Sequence, residues 1–188
     1  IEFSAKRYFI DALSAMAQGL FCSLLIGTIL DTLGTQLDID CLRAIVATVG
    51  KGEKAVEYTV GGLASAMVGP AMAVAIGYAL KAPAMVLFSL VPVGFGTNAM
   101  GGAGGPLAVL VVAIVAAEFG KAVSKETKVD ILITPLVTIL VGIGLSWLVA
   151  APIGKAANWV GTFIVWATEL HPFFMGILVS AIVGIALT

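Results

Sequence analysis

The middle of the chain is interrupted by Gly94-Phe95-Gly96-Thr97-Asn98-Ala99-Met100-Gly101-Gly102-Ala103-Gly104-Gly105-Pro106, a glycine-dense and weakly polar stretch between two strongly apolar segments. A chain this hydrophobic hides its backbone in helices, so the glycines indicate a place where backbone groups are exposed. Irregular backbone at membrane depth persists only where protein or a water-filled cavity satisfies its N–H and C=O groups. We therefore expect the stretch 94–106 to lie on a substrate path.

The composition indicates the broad class of protein. The 188 residues are 60% hydrophobic and 11% charged, and the mean hydropathy is +1.11. Soluble domains average about 45–50% apolar and about 25% charged residues, so we predict an integral membrane protein. The formal net charge of −1 does not suggest nucleic-acid binding. Cys22 and Cys41 lack the spacing of metal ligands, and we expect no disulfide framework.

We predict an all-α membrane protein, a polytopic helical bundle of about six hydrophobic segments, since crossing the hydrocarbon core takes about 20 residues of helix. Segment 82–95 is too short to cross alone. It predicts a re-entrant or discontinuous element that leads into the glycine-rich stretch. The hydrophobic segments cover residues 8–30, 58–80, 82–95, 107–123, 131–151, and 158–170 followed by 172–187.

The lysines and arginines predict a cytoplasmic N-terminus. With that end inside, alternate crossings place six of the ten basic residues on the same side: Lys6, Arg7, Lys81, Lys121, Lys125 and Lys128. The other four fall outside: Arg43, Lys51, Lys54 and Lys155. The polar segment 31–57 also contains apolar positions that predict a short surface helix: Ile39, Leu42, Ile45 and Val46.

The glycine-rich stretch contains the first candidate ligand groups. Glycine lets the backbone approach a ligand closely. We expect a polar solute to be bound by Thr97, Asn98 and the backbone groups of Gly101, Gly102, Gly104 and Gly105. The alternative interpretation is a plain hairpin loop outside the membrane.

A second candidate lies in the first segment, where Asp11 and Gln18 are seven residues apart and share one helix face. We expect this face to point into the protein, which makes Gln18 a candidate substrate ligand. An ion pair with Arg7 is the alternative explanation for Asp11. Glu118 precedes Lys121 by three positions, so an ion pair within one helix explains its place in an apolar segment.

Three motifs stand out: Ala5-Lys6-Arg7-Tyr8-Phe9-Ile10-Asp11-Ala12-Leu13-Ser14-Ala15-Met16-Ala17-Gln18-Gly19-Leu20, the Gly-Gly-Ala-Gly-Gly-Pro run at 101–106, and His171-Pro172-Phe173-Phe174-Met175-Gly176. Together they resemble the bacterial phosphotransferase-system enzyme IIC-like membrane proteins, in the branch that includes perfringolysin-regulator-like proteins. The resemblance spans most of the chain. It implies that residues 1–188 are a single transmembrane domain, the N-terminal part of a longer permease-like domain.

In sugar-transporting relatives the membrane component binds the sugar, and a separate cytosolic IIB domain donates phosphate. The resemblance therefore implies a bacterial cytoplasmic (inner) membrane protein that contacts membrane lipids, forms a homodimer and has a cytosolic IIB-like partner. A histidine and a glutamate take part in substrate recognition in similar sugar permeases. On this basis His171, beside Glu169, is a further candidate substrate ligand.

Enzyme signatures are absent from the sequence. The run 101–105 lacks the Lys and Ser/Thr of a phosphate-binding loop, and no nucleophile elbow is present. We expect no catalytic residue, no metal and no cofactor. The predicted function is a permease-like membrane domain that binds and translocates a small polar solute, in the first place a sugar. The alternative is a membrane-embedded ligand or lipid sensor or regulator that keeps the permease-like fold without net transport.

Overall fold

The structure, a computed structural model, describes residues 6–50, 55–124 and 130–168, together with the single residues 176 and 180. This part of the chain is almost entirely helical, which confirms the all-α membrane class. Its elements are α1 Ala12–Leu20, α2 Ile26–Gln36, α3 Asp40–Arg43, β1 Ala47–Val49, β2 Val56–Tyr58, α4 Val60–Ala66, α5 Val68–Ala79, α6 Ala84–Gly101, α7 Gly105–Val123 and α8 Asp130–Thr168.

The first span is one continuous helix, Tyr8–Gln36, because π-helical turns at Lys6–Asp11 and Phe21–Leu25 join its α-helical parts. Small residues on one face pack against the next span. A Cβ built on Gly19, for example, would lie 2.7 Å from Ala71 O. Small residues allow helix backbones to approach closely in membranes. The first span therefore lies against α4 and α5 along most of its length.

Helices α4 and α5 form a second span, which bends by 51° at Met67. Thr59 begins this span as the N-cap of α4: its hydroxyl accepts a hydrogen bond from the Gly62 N–H at 3.0 Å. The same hydroxyl donates to Asp31 Oδ1 at 2.8 Å. A side-chain cap satisfies one of the free amides at a helix start. Here the cap also ties α4 to α2.

Helices α6 and α7 lie antiparallel and are joined by a 3-10 turn, Gly102–Gly104. A Cβ built on Gly120, near the end of α7, would lie 2.9 Å from the Val86 side chain, near the start of α6. At the other end Gly105 lies against Asn98. The helices have 18 and 19 residues, about 27–29 Å at 1.5 Å per residue. Each can therefore cross a hydrocarbon core of about 30 Å once.

The described bundle has fewer passes than the six segments predicted. By length and composition, three stretches can span a membrane, or four when the bent pair α4–α5 counts as one span. One of them, Ala84–Val123, is the α6–α7 hairpin, so it supplies two passes and the described residues supply five. The predicted segments 131–151 and 158–170 fall largely within the single 39-residue helix α8. Segment 172–187 lies almost wholly outside the described residues.

The core forms where α5, α6 and α7 meet. A Cβ built on Gly94 of α6 would lie 2.9 Å from the carbonyl carbon of Gly69 on α5, so the two backbones touch at these glycines. Large apolar side chains fill the space around the contact. The largest fully or almost fully buried apolar residues are Met72, Ile76, Leu80, Val86, Leu90, Val93, Val109 and Val112.

One end of the bundle is tied by a lysine. Lys121 Nζ donates to Leu80 O at 3.0 Å and forms an ion pair with Glu118 at 3.1 Å, which confirms the predicted pair within one helix. Because the first span is antiparallel to α5, Lys6 lies at this same end, as does Lys81 at the end of α5. We call this end the basic end.

The polar segment between the first two spans holds α3 and a small β-hairpin. The short helix Asp40–Arg43 lies in the region where a surface helix was predicted, and Arg43 forms an ion pair with Asp38. Strands β1 and β2 pair antiparallel, with Ala47 opposite Tyr58. These two strands were not expected from the sequence.

Replacing Gly94 with alanine is expected to lower the free energy of unfolding by about 1–3 kcal/mol, the usual cost of overpacking. The added Cβ would lie 2.6 Å from the Ala73 Cβ and 2.9 Å from the carbonyl carbon of Gly69, so it would overlap α5. Gly144→Ala is the matched control, because nothing lies within 4 Å of a Cβ at that position. Reversible unfolding of the purified protein in mixed micelles measures both variants. Equal stability of the two would contradict the backbone contact.

Candidate functional site

The glycine-rich stretch is helical over most of its length. Helix α6 continues through residues 94–100 to Gly101, and only the turn Gly102–Gly104 leaves the α-helix. The predicted discontinuity is therefore present, but it is shorter and lies later in the chain than expected. Segment 82–95 is the first part of α6 and not a separate short element. Each helical hydrogen bond lost at membrane depth leaves an unsatisfied backbone group, which explains why the glycines at 94 and 96 do not end the helix.

Thr97 is fully buried and faces α8. Its hydroxyl donates to Val93 O at 2.7 Å and lies 2.5 Å from the hydroxyl of Ser146, which in turn lies 2.7 Å from Gly142 O. Each hydroxyl carries one proton, so three contacts share two protons. When the two hydroxyls bond each other, one of the bonds to backbone must open. Thr97 and Ser146 are thus a polar contact between α6 and α8.

Ser146 was not among the predicted site residues. It is 49 residues from Thr97 in the sequence. The apolar segment 131–151 also contains the hydroxyls of Thr134 and Thr138, so nothing in the sequence singles out Ser146. Such hydroxyls are common in membrane helices because they bond the backbone of their own helix. The pairing with Thr97 follows only from the packing of α6 against α8.

Asn98 lies one residue further along α6, beside the turn. Its Cβ would be 2.7 Å from a Cβ built on Gly69, and its backbone oxygen would be 2.9 Å from one built on Gly105. The side chain is partly exposed. Among the described residues no hydrogen-bond partner is found for its amide group. The amide therefore keeps two donors and an acceptor for an outside ligand.

Three of the four candidate glycines are used for close packing. A Cβ on Gly104 would lie 2.8 Å from Ile153 O, and Gly154 of α8 lies against the backbone oxygen of Gly101. Gly105 lies against Asn98. Gly102 differs: it is exposed, has a φ of +52° and has nothing within 4 Å of a built Cβ. The exposed backbone predicted for the whole stretch is thus found at Gly102 and the neighbouring Ala103.

A groove lies beside this turn, between Ala103 and the second half of α8. Its volume is about 480 Å³. Two of its polar groups are Asn158 and Thr162, and the Thr162 hydroxyl donates to Asn158 O at 2.9 Å. Among the described residues the walls of the groove are uncharged, and they are formed by Ala103, Ala157, Asn158, Gly161, Thr162 and Val165.

The remaining predicted ligands do not meet at this groove. Gln18 and Asp11 are exposed on the outer side of the first span, so the expectation that their face points into the described bundle is wrong. The face that is buried carries alanine and glycine instead, because these small residues pack best against α5. His171 and Glu169 lie outside the described residues. Their proposed role stays a prediction.

Metal chemistry was not expected, and the described ranges contain no group of three His, Cys, Asp or Glu side chains that could hold a metal ion. The described polar groups near the turn are hydroxyls, amides and backbone groups, which bind ligands by hydrogen bonds.

The fold and this site define a polytopic α-helical membrane domain with an uncharged polar groove beside a glycine turn. A model of the family described as "Phosphotransferase system, EIIC" matches residues 10–188. The chain therefore belongs to this family and is a permease-like membrane component of the phosphotransferase system. No curated protein and no solved structure gives a significant match to the chain.

A double-mutant cycle on Thr97→Val and Ser146→Ala tests the contact between α6 and α8. We expect a coupling free energy of about 0.6 kcal/mol, the average for hydrogen bonds between membrane helices. When two side chains bond directly, the losses of stability in the two single variants sum to more than the loss in the double variant. Unfolding of the two single variants and the double variant measures it. Thr138→Val with Ser146→Ala is the control pair, since Thr138 bonds Thr134 O within its own helix. Strictly additive losses at 97 and 146 would show that the hydroxyls do not interact.

Proposed function

We propose that this domain binds a small polar solute, in the first place a sugar, beside the glycine turn and translocates it across the membrane. The observation that carries the proposal is the family match, which covers residues 10–188. Components of this kind transport their solute and are generally not catalytic themselves. Any phosphorylation would come from a separate IIB-like domain.

The chemistry of the groove supports an uncharged, hydroxyl-rich solute. Sugar hydroxyls both donate and accept hydrogen bonds, and side-chain amides do the same. Asn98 beside the turn and Asn158 in the groove offer two such amides. The Thr162 hydroxyl gives its proton to Asn158 O, so its oxygen is left to accept from the solute. A charged solute would find no counter-charge among the described residues that line the groove.

The packing supports a movement in which the α6–α7 hairpin shifts as a unit. The contact between α5 and α6 is made by the small residues Gly69, Ala73 and Gly94, so few large side chains interlock at that level. The neighbouring span is already broken by 51° at Met67. Permease-like folds often alternate access by rocking packed helices around a fixed solute site. We place the pivot at Gly69 and Gly94.

The orientation and assembly are part of the same proposal. Lys6, Lys81 and Lys121 share the basic end, and basic residues are enriched on the cytoplasmic side of membranes. We therefore place the N-terminus in the cytoplasm of a bacterial cell, with the glycine turn toward the opposite face of the inner membrane. We propose that the domain forms a homodimer and works with a cytosolic IIB-like partner.

Removing the Asn98 amide tests the site. Purified protein is titrated with glucose, mannose, N-acetylglucosamine and sorbitol, and thermal stability is followed in detergent. At least one compound is expected to stabilise the parent protein saturably, and Asn98→Ala is expected to weaken that binding by about tenfold, as the loss of about 1.5 kcal/mol from a hydrogen-bonding group implies. Gln36→Ala is the control, because Gln36 is an exposed amide on another helix.

Uptake into proteoliposomes then separates transport from sensing. Binding with uptake, both reduced by Asn98→Ala, supports the permease function. Binding without uptake, in the presence of the cytosolic phosphotransferase proteins, would favour the sensor or regulator alternative. An Asn98→Ala protein that binds as well as the parent would place the solute elsewhere.

A further inference from the structure

Lys81 occupies a backbone position that usually belongs to glycine. It follows the end of α5 with a φ of +54°. Its N–H donates to Tyr78 O at 2.9 Å, and the Ala82 N–H donates to Gly77 O at 3.0 Å. This pair of bonds is the Schellman motif, whose left-handed residue is most often glycine. Residues with a Cβ are disfavoured in this conformation. A lysine here reduces stability relative to glycine, and its side chain therefore invites a functional explanation.

The Lys81 ammonium is available to a ligand. Its side chain is exposed, and no described carboxylate forms an ion pair with it. The neighbouring cation Lys121 is different, because it is largely buried and is bound to Leu80 O and Glu118. Among the described residues, Lys81 is thus an exposed cation of the basic end that forms no ion pair.

An amphipathic groove opens beside Lys81. It has a volume of about 510 Å³, and its walls are formed by Tyr78, Ala79, Lys81, Ala82 and Leu87. The Tyr78 side chain is 76% exposed. Tyrosine and lysine concentrate where the hydrocarbon core meets the headgroups, because each has an apolar body and a polar tip. The groove is therefore lined by two amphipathic side chains, Lys81 and Tyr78, and by apolar ones.

An apolar stripe continues from this groove along α6. Phe88, Val91 and Phe95 are spaced by three and four residues, so they lie on one face of the helix, and all three are exposed. From Phe88 to Phe95 the stripe rises about 10 Å at 1.5 Å per residue. It leads from the basic end toward the middle of the bundle.

We propose that this surface binds one anionic phospholipid. The Lys81 ammonium and the Tyr78 hydroxyl hold the phosphate, and one acyl chain lies over Leu87, Phe88, Val91 and Phe95. The occupant follows from the charge and the shape together: an unpaired cation at the headgroup level calls for an anion, and the adjoining stripe calls for a chain. The inference does not depend on which solute the domain carries.

Lys81→Gly is the decisive variant because it is expected to stabilise the protein and yet to weaken lipid binding. Without lipid it is expected to raise the melting temperature, since glycine relieves the left-handed backbone. It is also expected to weaken the binding of dioleoyl phosphatidylglycerol by about fivefold, the factor that one lysine contributes near an anionic surface. Lys81→Gln should weaken binding similarly without raising the melting temperature. Lys155→Gln, an exposed lysine at the other end of the bundle, is the matched control.

Native mass spectrometry and thermal shift in detergent measure these affinities, with dioleoyl phosphatidylcholine as the neutral comparison. Preference for phosphatidylglycerol, lost in both Lys81 variants and kept in Lys155→Gln, supports the site. Equal affinity for the two lipids, or equal losses at Lys81 and Lys155, would overturn it. Stabilisation by inorganic phosphate alone, to the same extent as by lipid, would show that the acyl chain plays no part. The double variant Phe88→Ala/Phe95→Ala tests the contact with the acyl chain. It should weaken phosphatidylglycerol binding, whereas Phe119→Ala, at an exposed position on α7, should not. Equal affinities of these two variants would contradict the contact.

Discussion

Contact between helix backbones at glycine is the interaction on which this bundle depends. Lipid chains are as apolar as leucine side chains, so association of helices in a membrane relies on close packing and on hydrogen bonds between helices. At Gly69 and Gly94 the backbones of α5 and α6 touch, and at Gly27 and Gly61 the first span touches α4. A side chain at any of these positions would separate the helices. The burial of the surrounding core residues follows from these contacts.

The same close approach decides which polar groups find partners. Thr97 reaches Ser146 because α6 and α8 pack together, and Lys121 reaches Leu80 O because α7 folds back beside α6. A buried polar group without a hydrogen bond is costly, so these bonds specify the helix arrangement and do not merely accompany it. The glycine turn is held by close packing instead, since Gly104 lies against the backbone of Ile153 on α8.

The two ends of the bundle offer different chemistry. The basic end presents lysines, of which Lys121 is paired and Lys81 is exposed. The end with the glycine turn also carries charged side chains, such as Arg43 and Lys155, but the described walls of its groove are uncharged and include Asn158, with Asn98 beside the turn. Charged groups at the headgroup level can meet lipids and cytosolic proteins, whereas neutral groups suit a solute without charge.

The sequence by itself determined the features that depend on local composition. Apolar segments of sufficient length predict helices because lipid leaves the backbone no other partner, and the Glu118–Lys121 pair follows from a spacing of three on one helix. The family resemblance also came from motifs that lie along the chain. Only the tertiary structure decided the rest. Residues 94–100 stay helical, and α8 continues past Pro152, because these stretches pack against distant helices. The sequence shows which residues share a helix face but not which neighbouring helix covers that face. The exposure of Gln18 and the pairing of Ser146 with Thr97 could therefore not be predicted. Both depend on contacts between residues far apart in the chain.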